Sequence, residues 1–357
     1  MQLAPALRTV ILPVLVIALA VGTGWWATGR LAADTRSPLA VALDALPAGT
    51  VVAGFTDWSA IRAELGADDE SAAAGRATLT DDAALRDLTT RSVLGSSIEE
   101  MHRAYGWSAA DLDWEAYGQA AGGAALVARL SSSVTVDTVR RRLAALGYTR
   151  RGDTWTLGQG GTSSIGAELA TTLGVVAVLP RERLVVAGPE GRYVRTVART
   201  VRGARPSLLD RRPVVDLAST LSGSDSVLLQ AREESCRATA VDVDDPDATA
   251  QARAAVARSG ALATPSWTGR GLVEDSPDQT IRFALAFDSP TVAAGQATVR
   301  AALARGPFIG RSGLVEDSLD LEQASSERGV TSLRFTLDPD RGAFMAGEGT
   351  VLFASCP

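Results

Sequence analysis

GAALVARLSSSVTVDTVRRRLAALG, residues 123–147, decides how this chain is read. Gly123 to Leu130 is apolar enough for a buried strand, and Val136, Val139, Leu143 and Leu146 then recur at helical spacing until Gly147 stops the helix. Short strands are expected beyond it at Thr154–Leu157, Gly174–Leu179 and Leu184–Ala187, the last two joined by a turn at Pro180-Arg181-Glu182. Pro189 then opens a helix that Gly203 closes. Upstream, Thr50–Phe55 reads as a buried strand, and Asp57 caps a helix carrying Trp58, Ile61 and Leu65. Residues 67–80 read as an exposed loop and Asp81–Tyr105 as mostly helical. Trp107 to Asp111 reads as a turn capping a short helix that holds Trp114 and Tyr117.

The same alternation resumes near Ser224. A strand at Ser226–Leu229, a polar helical stretch near Ala248–Val256 and a strand at Thr280–Phe287 precede a helix from Ser289 or Pro290 to about Leu303, with further strands near Leu314–Leu321 and Thr331–Leu337. Strand-helix-strand-strand order in both halves predicts an α+β fold of two units, 49–223 and 224–357, with mainly antiparallel sheets. Gly271 to Ser276 (GLVEDS) recurs at Gly313 to Ser318, ahead of Ile281-Arg282-Phe283 and Leu333-Arg334-Phe335 respectively, so two alike hairpins within the second unit are expected.

The N-terminus is of another kind. Residues 9–29, between Arg8 and Arg30, are uncharged, and 10–29 read as a transmembrane signal anchor after a short cytoplasmic tail, 1–9. Trp25 and Trp26 fall at its far end, where indole rings favour the membrane interface. A cleaved signal peptide is the competing reading, with Ala18-Leu19-Ala20 as its small-x-small pattern. A tether, 30–48, follows, and the C-terminal body is expected outside the cytoplasm of a single-pass membrane protein. Cys236 and Cys356 suit that compartment as a disulfide, two separate buried thiols being the alternative.

Composition works mainly by exclusion. The 357 residues hold no lysine and no asparagine, so the 35 basic side chains are all arginine, against 41 acidic ones. Lysine-dependent phosphate and Schiff-base chemistry is therefore closed off, and a single histidine, His102, removes multi-histidine metal sites. Beyond residue 30 the formal charge is −8, which argues against nucleic acid as a partner. No cofactor or metal is expected. In Asp242-Val243-Asp244-Asp245-Pro246-Asp247, Pro246 breaks the calcium-loop spacing, and an acidic turn is the better reading. Gly161 to Gly166 (GTSSIG) lacks the nucleophile-elbow pattern that would make a partner for His102.

The strongest positive feature is the helix from Pro189 to Arg202, where Arg192, Arg195, Arg199 and Arg202 share one face and Val194, Val197 and Val201 the other. Such a stripe suits anionic headgroups or an acidic wall polymer, and a solvated face balanced by neighbouring acids is the plain alternative. Trp58, Trp107, Trp114, Trp155 and Trp267 read as core residues rather than a groove. In lysine-free, alanine-rich composition and single-anchor layout, the chain resembles uncharacterised single-pass envelope proteins of high-GC actinobacteria. The resemblance implies no catalytic residue. The function expected is a non-enzymatic, membrane-anchored extracytoplasmic domain that holds the bilayer through its N-terminal helix and binds an envelope protein, lipid or wall polymer. The other reading is an envelope hydrolase using Glu274, Asp275, Glu316 and Asp317 as paired carboxylates.

Overall fold

A computed structural model describes residues 36–67, 73–158, 165–241, 244–275, 278–309, 313–337, 344–347 and 349–357. The expected anchor at 10–29, with Trp25 and Trp26, lies outside the described residues. Among those described, no helix is long and apolar enough to cross a membrane.

Pro38–Pro357 forms one compact unit. Its first half runs α1 (Pro38–Ala45), β1 (Val52–Thr56), α2 (Trp58–Glu64), α3 (Ala73–Leu85), α4 (Ile98–Tyr105), β2 (Leu112–Ala120), β3 (Gly123–Leu130) and α5 (Val136–Ala145). It continues through β4 (Tyr148–Arg151), β5 (Thr154–Leu157), α6 (Ala167–Thr172), β6 (Val175–Leu179), β7 (Leu184–Gly188) and α7 (Gly191–Val201). The second half runs α8 (Arg212–Thr220), β8 (Ser226–Ala231), α9 (Arg232–Ala238), α10 (Pro246–Ser259), β9 (Trp267–Asp275), β10 (Asp278–Ala286), α11 (Pro290–Leu303), β11 (Leu319–Glu327) and β12 (Val330–Leu337).

Among the described residues, twelve strands join one antiparallel sheet in the order β11-β12-β10-β9-β8-β1-β2-β3-β7-β6-β5-β4. Outward from the centre, β1-β2-β3-β7-β6 and β8-β9-β10-β12-β11 repeat the same succession, and the hairpin β4–β5 is an addition at one edge. The helices match as well: α8 starts 174 residues after α1, at Arg212 against Pro38, and α9 the same distance after α2, at Arg232 against Trp58. Both central hairpins, β2–β3 and β9–β10, turn through two residues, between Ala120 and Gly123 and between Asp275 and Asp278. The fold is a doubled module whose copies meet where β1 pairs antiparallel with β8.

Helices cover both faces of the sheet, as the period-two alternation of its strands requires. Ala53 and Phe55 of β1 point into one core, with Leu43 of α1, Val194 and Val197 of α7 and Leu217 of α8. The opposite core gathers Trp58, Tyr105, Trp107, Phe283, Phe335 and Phe353. Phe283, Phe335 and Phe353 form a triangle with centroids 5.0–5.8 Å apart, where truncating one ring to alanine costs about 3–5 kcal/mol.

The C-terminus is fastened twice. Cys236 at the end of α9 and Cys356 form a disulfide, with Cα atoms 5.2 Å apart. Beside it, the wholly buried Arg300 of α11 donates to the carbonyls of Ala263, Phe353 and Ser355 and to Gln296 Oε1. Burial lowers its pKa to about 9, and these acceptors replace the water the guanidinium has lost.

Several expectations change. The division at 223/224 separates α8 from β8 within a single sheet, because the central strands of both halves hydrogen-bond to each other. The body begins at α1, inside the expected tether, since Leu39, Leu43 and Leu46 are buried. Part of the expected loop 67–80 is the helix α3. Trp114 and Tyr117 lie on the strand β2, where tertiary pairing overrides local pattern. The GLVEDS echo is not structural: Gly271–Asp275 belongs to β9, whereas Val315–Asp317 forms a 3₁₀ turn ahead of β11. The strands that follow the two copies do pair, Ile281 opposite Phe335 and Phe283 opposite Leu333.

Replacing Cys236 and Cys356 together by alanine is expected to lower stability to urea by about 3–5 kcal/mol, measured by tryptophan fluorescence, because the bridge closes a loop of 120 residues. Equal midpoints for the two proteins would show that the C-terminus is held without it.

Candidate functional site

Where the two halves meet, the sheet is left partly uncovered. A cavity of about 630 Å³ opens there, floored by β2, β1 and β8. Two rows of residues cross these strands: Gln119, Val52 and Gln230, then Tyr117, Gly54 and Leu228. Both rows face the same way because alternate residues of a strand share a face. Gly54, between Tyr117 and Leu228, lets the strap backbone approach the sheet closely. A Cβ there would lie 3.2 Å from the Arg91 carbonyl oxygen.

The walls come from distant parts of the chain. Thr90 to Val93 stand on one side, Glu234, Arg237 and Ala238 of α9 on another, and Ala346 and Gly347 close a third. Arg237 is ion-paired to Glu234 one helical turn away. The strap 86–93 is held by buried acids. Asp87, at a left-handed φ of 59°, accepts from the backbone N–H groups of Phe344 and Met345 and from the Thr90 hydroxyl, so one carboxylate ties two walls together. Glu115 of β2 accepts from Val93 N–H and from Trp58 Nε1, the latter at 3.0 Å, and complete burial raises its pKa.

A second cluster of acids sits at the other end of the β1–β8 pair. Asp225 Oδ2 accepts from Glu274 N–H at 2.7 Å, its carbonyl accepts from Asp57 N–H, and Asp57 caps α2 through Ala60 N–H. Burial, followed by the charges of Asp57, Glu64 and Glu274, raises the Asp225 pKa to about 7 despite the bond from Glu274. Asp57 is raised too, chiefly by burial. Glu274 is engaged by Arg86 and Gln279, and Gln279 also donates to the Arg86 carbonyl.

The residues singled out in the sequence scatter. Arg192, Arg195, Arg199 and Arg202 are exposed as expected, opposite buried Val194 and Val197; Val201 is only half-buried. Arg202 pairs with Asp153, and among the described residues Arg192, Arg195 and Arg199 make no ion pair within 4.0 Å. The carboxylates do not assemble into a pair. Glu274 is buried on β9, Asp275 is exposed beside it, and exposed Glu316 and Asp317 precede β11, three strands away or about 14 Å across the sheet. Asp317 accepts from Leu314 N–H. A glycosidase pair needs roughly 5–10 Å.

Asp245 caps α10 by accepting from Asp247 and Ala248 N–H, while Asp242 and Val243 lie outside the described residues. Among those described, no cluster of three or more acidic, histidine or cysteine side chains could hold a metal ion. His102 is half-buried on α4, and Ser163 and Ser164 lie outside the described residues. Trp58, Trp107, Trp114, Trp155 and Trp267 are all buried, so the tryptophans pack cores.

A smaller polar cavity, about 270 Å³, lies between α8 and the outer strands, where Arg282 stands opposite Arg334. The central cavity is the better candidate because segments far apart in sequence converge on it. Sequence reading passed over its floor. A usable signal existed in Ser226–Ala231 (SVLLQA), where alternation puts Gln230 and Leu228 on one face of a central strand.

The sequence matches no protein-family profile and no curated protein. Crystal forms III, I and IV of TP0453 are similar in structure, with TM-scores of 0.39, 0.39 and 0.40 at 8%, 10% and 10% identity. The alignments cover 84–85% of this chain and 93–97% of theirs. A likeness of that degree says nothing about ligand or activity.

Asp225 yields a signed test. Its folded pKa lies above the unfolded value, so the native state keeps a proton that the unfolded chain releases from about pH 4 upward. That stabilisation is complete below about pH 4 and is lost as pH rises to about 7. Between pH 5 and pH 7.5 the wild type is expected to lose about 2 kcal/mol more stability than Asp225→Asn, which keeps the acceptor for Glu274 N–H. Parallel urea midpoints for the two proteins across that range would remove Asp225 as the titrating group.

Proposed function

We propose that this chain is a non-enzymatic, membrane-anchored extracytoplasmic binding protein whose ligand occupies the central cavity. One observation carries the reading: a recess of about 630 Å³, floored by central strands of both halves and walled by the strap, α9 and the C-terminal segment. A recess of that size falls in the range of small-molecule sites. Its lining holds neither histidine nor cysteine, and the acidic residue it does hold, Glu234, is neutralised by Arg237. That chemistry suits holding a molecule more than transforming one. The apolar segment 10–29 and the disulfide support the location outside the cytoplasm.

The exposed stripe of α7 supports a second contact. Arg192, Arg195 and Arg199 form no ion pair among the described residues, and a guanidinium near an anionic surface contributes about 1 kcal/mol. In this reading the α7 face rests against the membrane that carries the anchor.

A fragment screen monitored by methyl NMR is expected to give hits whose shifts cluster at Val52, Val93 and Leu228, and Gln119→Trp, which fills the recess from an exposed position, is expected to abolish them. Hits scattered elsewhere, or unchanged in the filled variant, would refute the cavity as the site. For the second contact, changing Arg192, Arg195, Arg199 and Arg202 to glutamine should weaken co-sedimentation with phosphatidylglycerol vesicles at low salt by at least tenfold. Equal binding would dismiss it.

A further inference from the structure

We propose that the central cavity takes a neutral, hydroxyl-rich glycan segment; the inference rests on the reading of that cavity as the binding site. The two rows of the floor set the geometry. Gln119 and Gln230 flank Val52 in one row, and Tyr117 and Leu228 flank Gly54 in the next. Neighbouring strands lie about 4.8 Å apart, so the outer residues of each row are about 10 Å apart, and the rows are separated by about 7 Å. An area of that size matches a single sugar ring.

The functional groups narrow the class. Each glutamine amide offers donors and an acceptor in one plane, matching a pair of neighbouring hydroxyls or an acetamido group. The Glu234–Arg237 pair adds an acceptor and a fork of donors with no net charge between them. Tyr117 offers a ring to the apolar face of a sugar.

Two other ligand classes fit less well. A lipid chain needs predominantly apolar walls, and here the apolar side chains larger than alanine are Val52, Val93 and Leu228. An inorganic or lipid phosphate needs converging cationic donors, and of the two arginines in the lining, Arg91 and Arg237, the second is occupied by Glu234. A glycan asks for none of the missing features.

The test uses the full chain in phosphatidylcholine nanodiscs and isothermal titration with the tetramer of N-acetylglucosamine, beside sodium laurate and inorganic phosphate. The tetramer is expected to bind, with affinity falling about threefold to tenfold in Gln119→Ala and in Gln230→Ala. Tyr117→Ala should cost about tenfold while Tyr117→Phe keeps the affinity. Gln119→Trp should eliminate binding, and unchanged thermal unfolding of that variant checks that it is folded. If laurate or phosphate binds instead and is expelled by Gln119→Trp, the glycan class is overturned while the cavity remains the site. Tetramer binding that survives Gln119→Trp, or silence of the tetramer where fragments still mark Val52, Val93 and Leu228, also overturns it. Fragments and all three probes failing together would overturn both readings.

Discussion

The pairing of β1 with β8 is the contact on which the rest of the structure depends. Five register pairs, from Val52 opposite Gln230 to Thr56 opposite Ser226, join two copies of one module into a single sheet. Without it each half would expose the edge of its first strand, a row of unpaired N–H and C=O groups that in water invites association with other chains. With it, both edges are paired within the sheet. Phe55, Val227 and Leu229 fill one face, and the cavity lies on the other.

Doubling also explains why a recess exists at the junction. Each half covers its own strands with its own helices, α2 to α6 on one side and α10 and α11 on the other. The seam between these covers falls over β1 and β8. At one end of the seam the space is filled by α2, Arg86 and the acids Asp57, Asp225 and Glu274. At the other end α9 stands at the rim and the space stays open. Asp87 and Glu115 hold the strap along this seam, spending two buried carboxylates on backbone N–H groups that would otherwise be unsatisfied. Burial raises the pKa values of Glu115 and Asp225 against the lowering effect of the N–H groups they accept from.

Local signals were legible wherever periodicity was undisturbed. Val136, Val139 and Leu143 marked α5, Asp57 marked the start of α2, and Val194 and Val197 set the buried face of α7, all as the structure has them. They failed where pairing partners decide. Leu112–Ala120 carries polar and aromatic residues in no clear alternation, and it is a strand because β1 and β3 flank it. Repetition misled for a related reason. Of the two identical six-residue runs, Gly271–Asp275 lies in a strand and Val315–Asp317 in a turn, while α1 and α8, equivalent in the fold, share little sequence. Short identity is weak against tertiary context, because a few residues contribute less than the ladder they are placed in.

By itself the sequence determined that an even pair of cysteines was there to be joined, and it excluded lysine and multi-histidine chemistry. Those follow from composition and from runs of adjacent residues, which need no partner to be read. Only the tertiary structure decided that the two expected units are one sheet, that α1 belongs to the body, and that Gly54, Tyr117, Gln119 and Gln230 share a floor. A strand's pattern records which face is buried and not which strand lies beside it. Residues more than a hundred positions apart became neighbours through a register that no single segment carries.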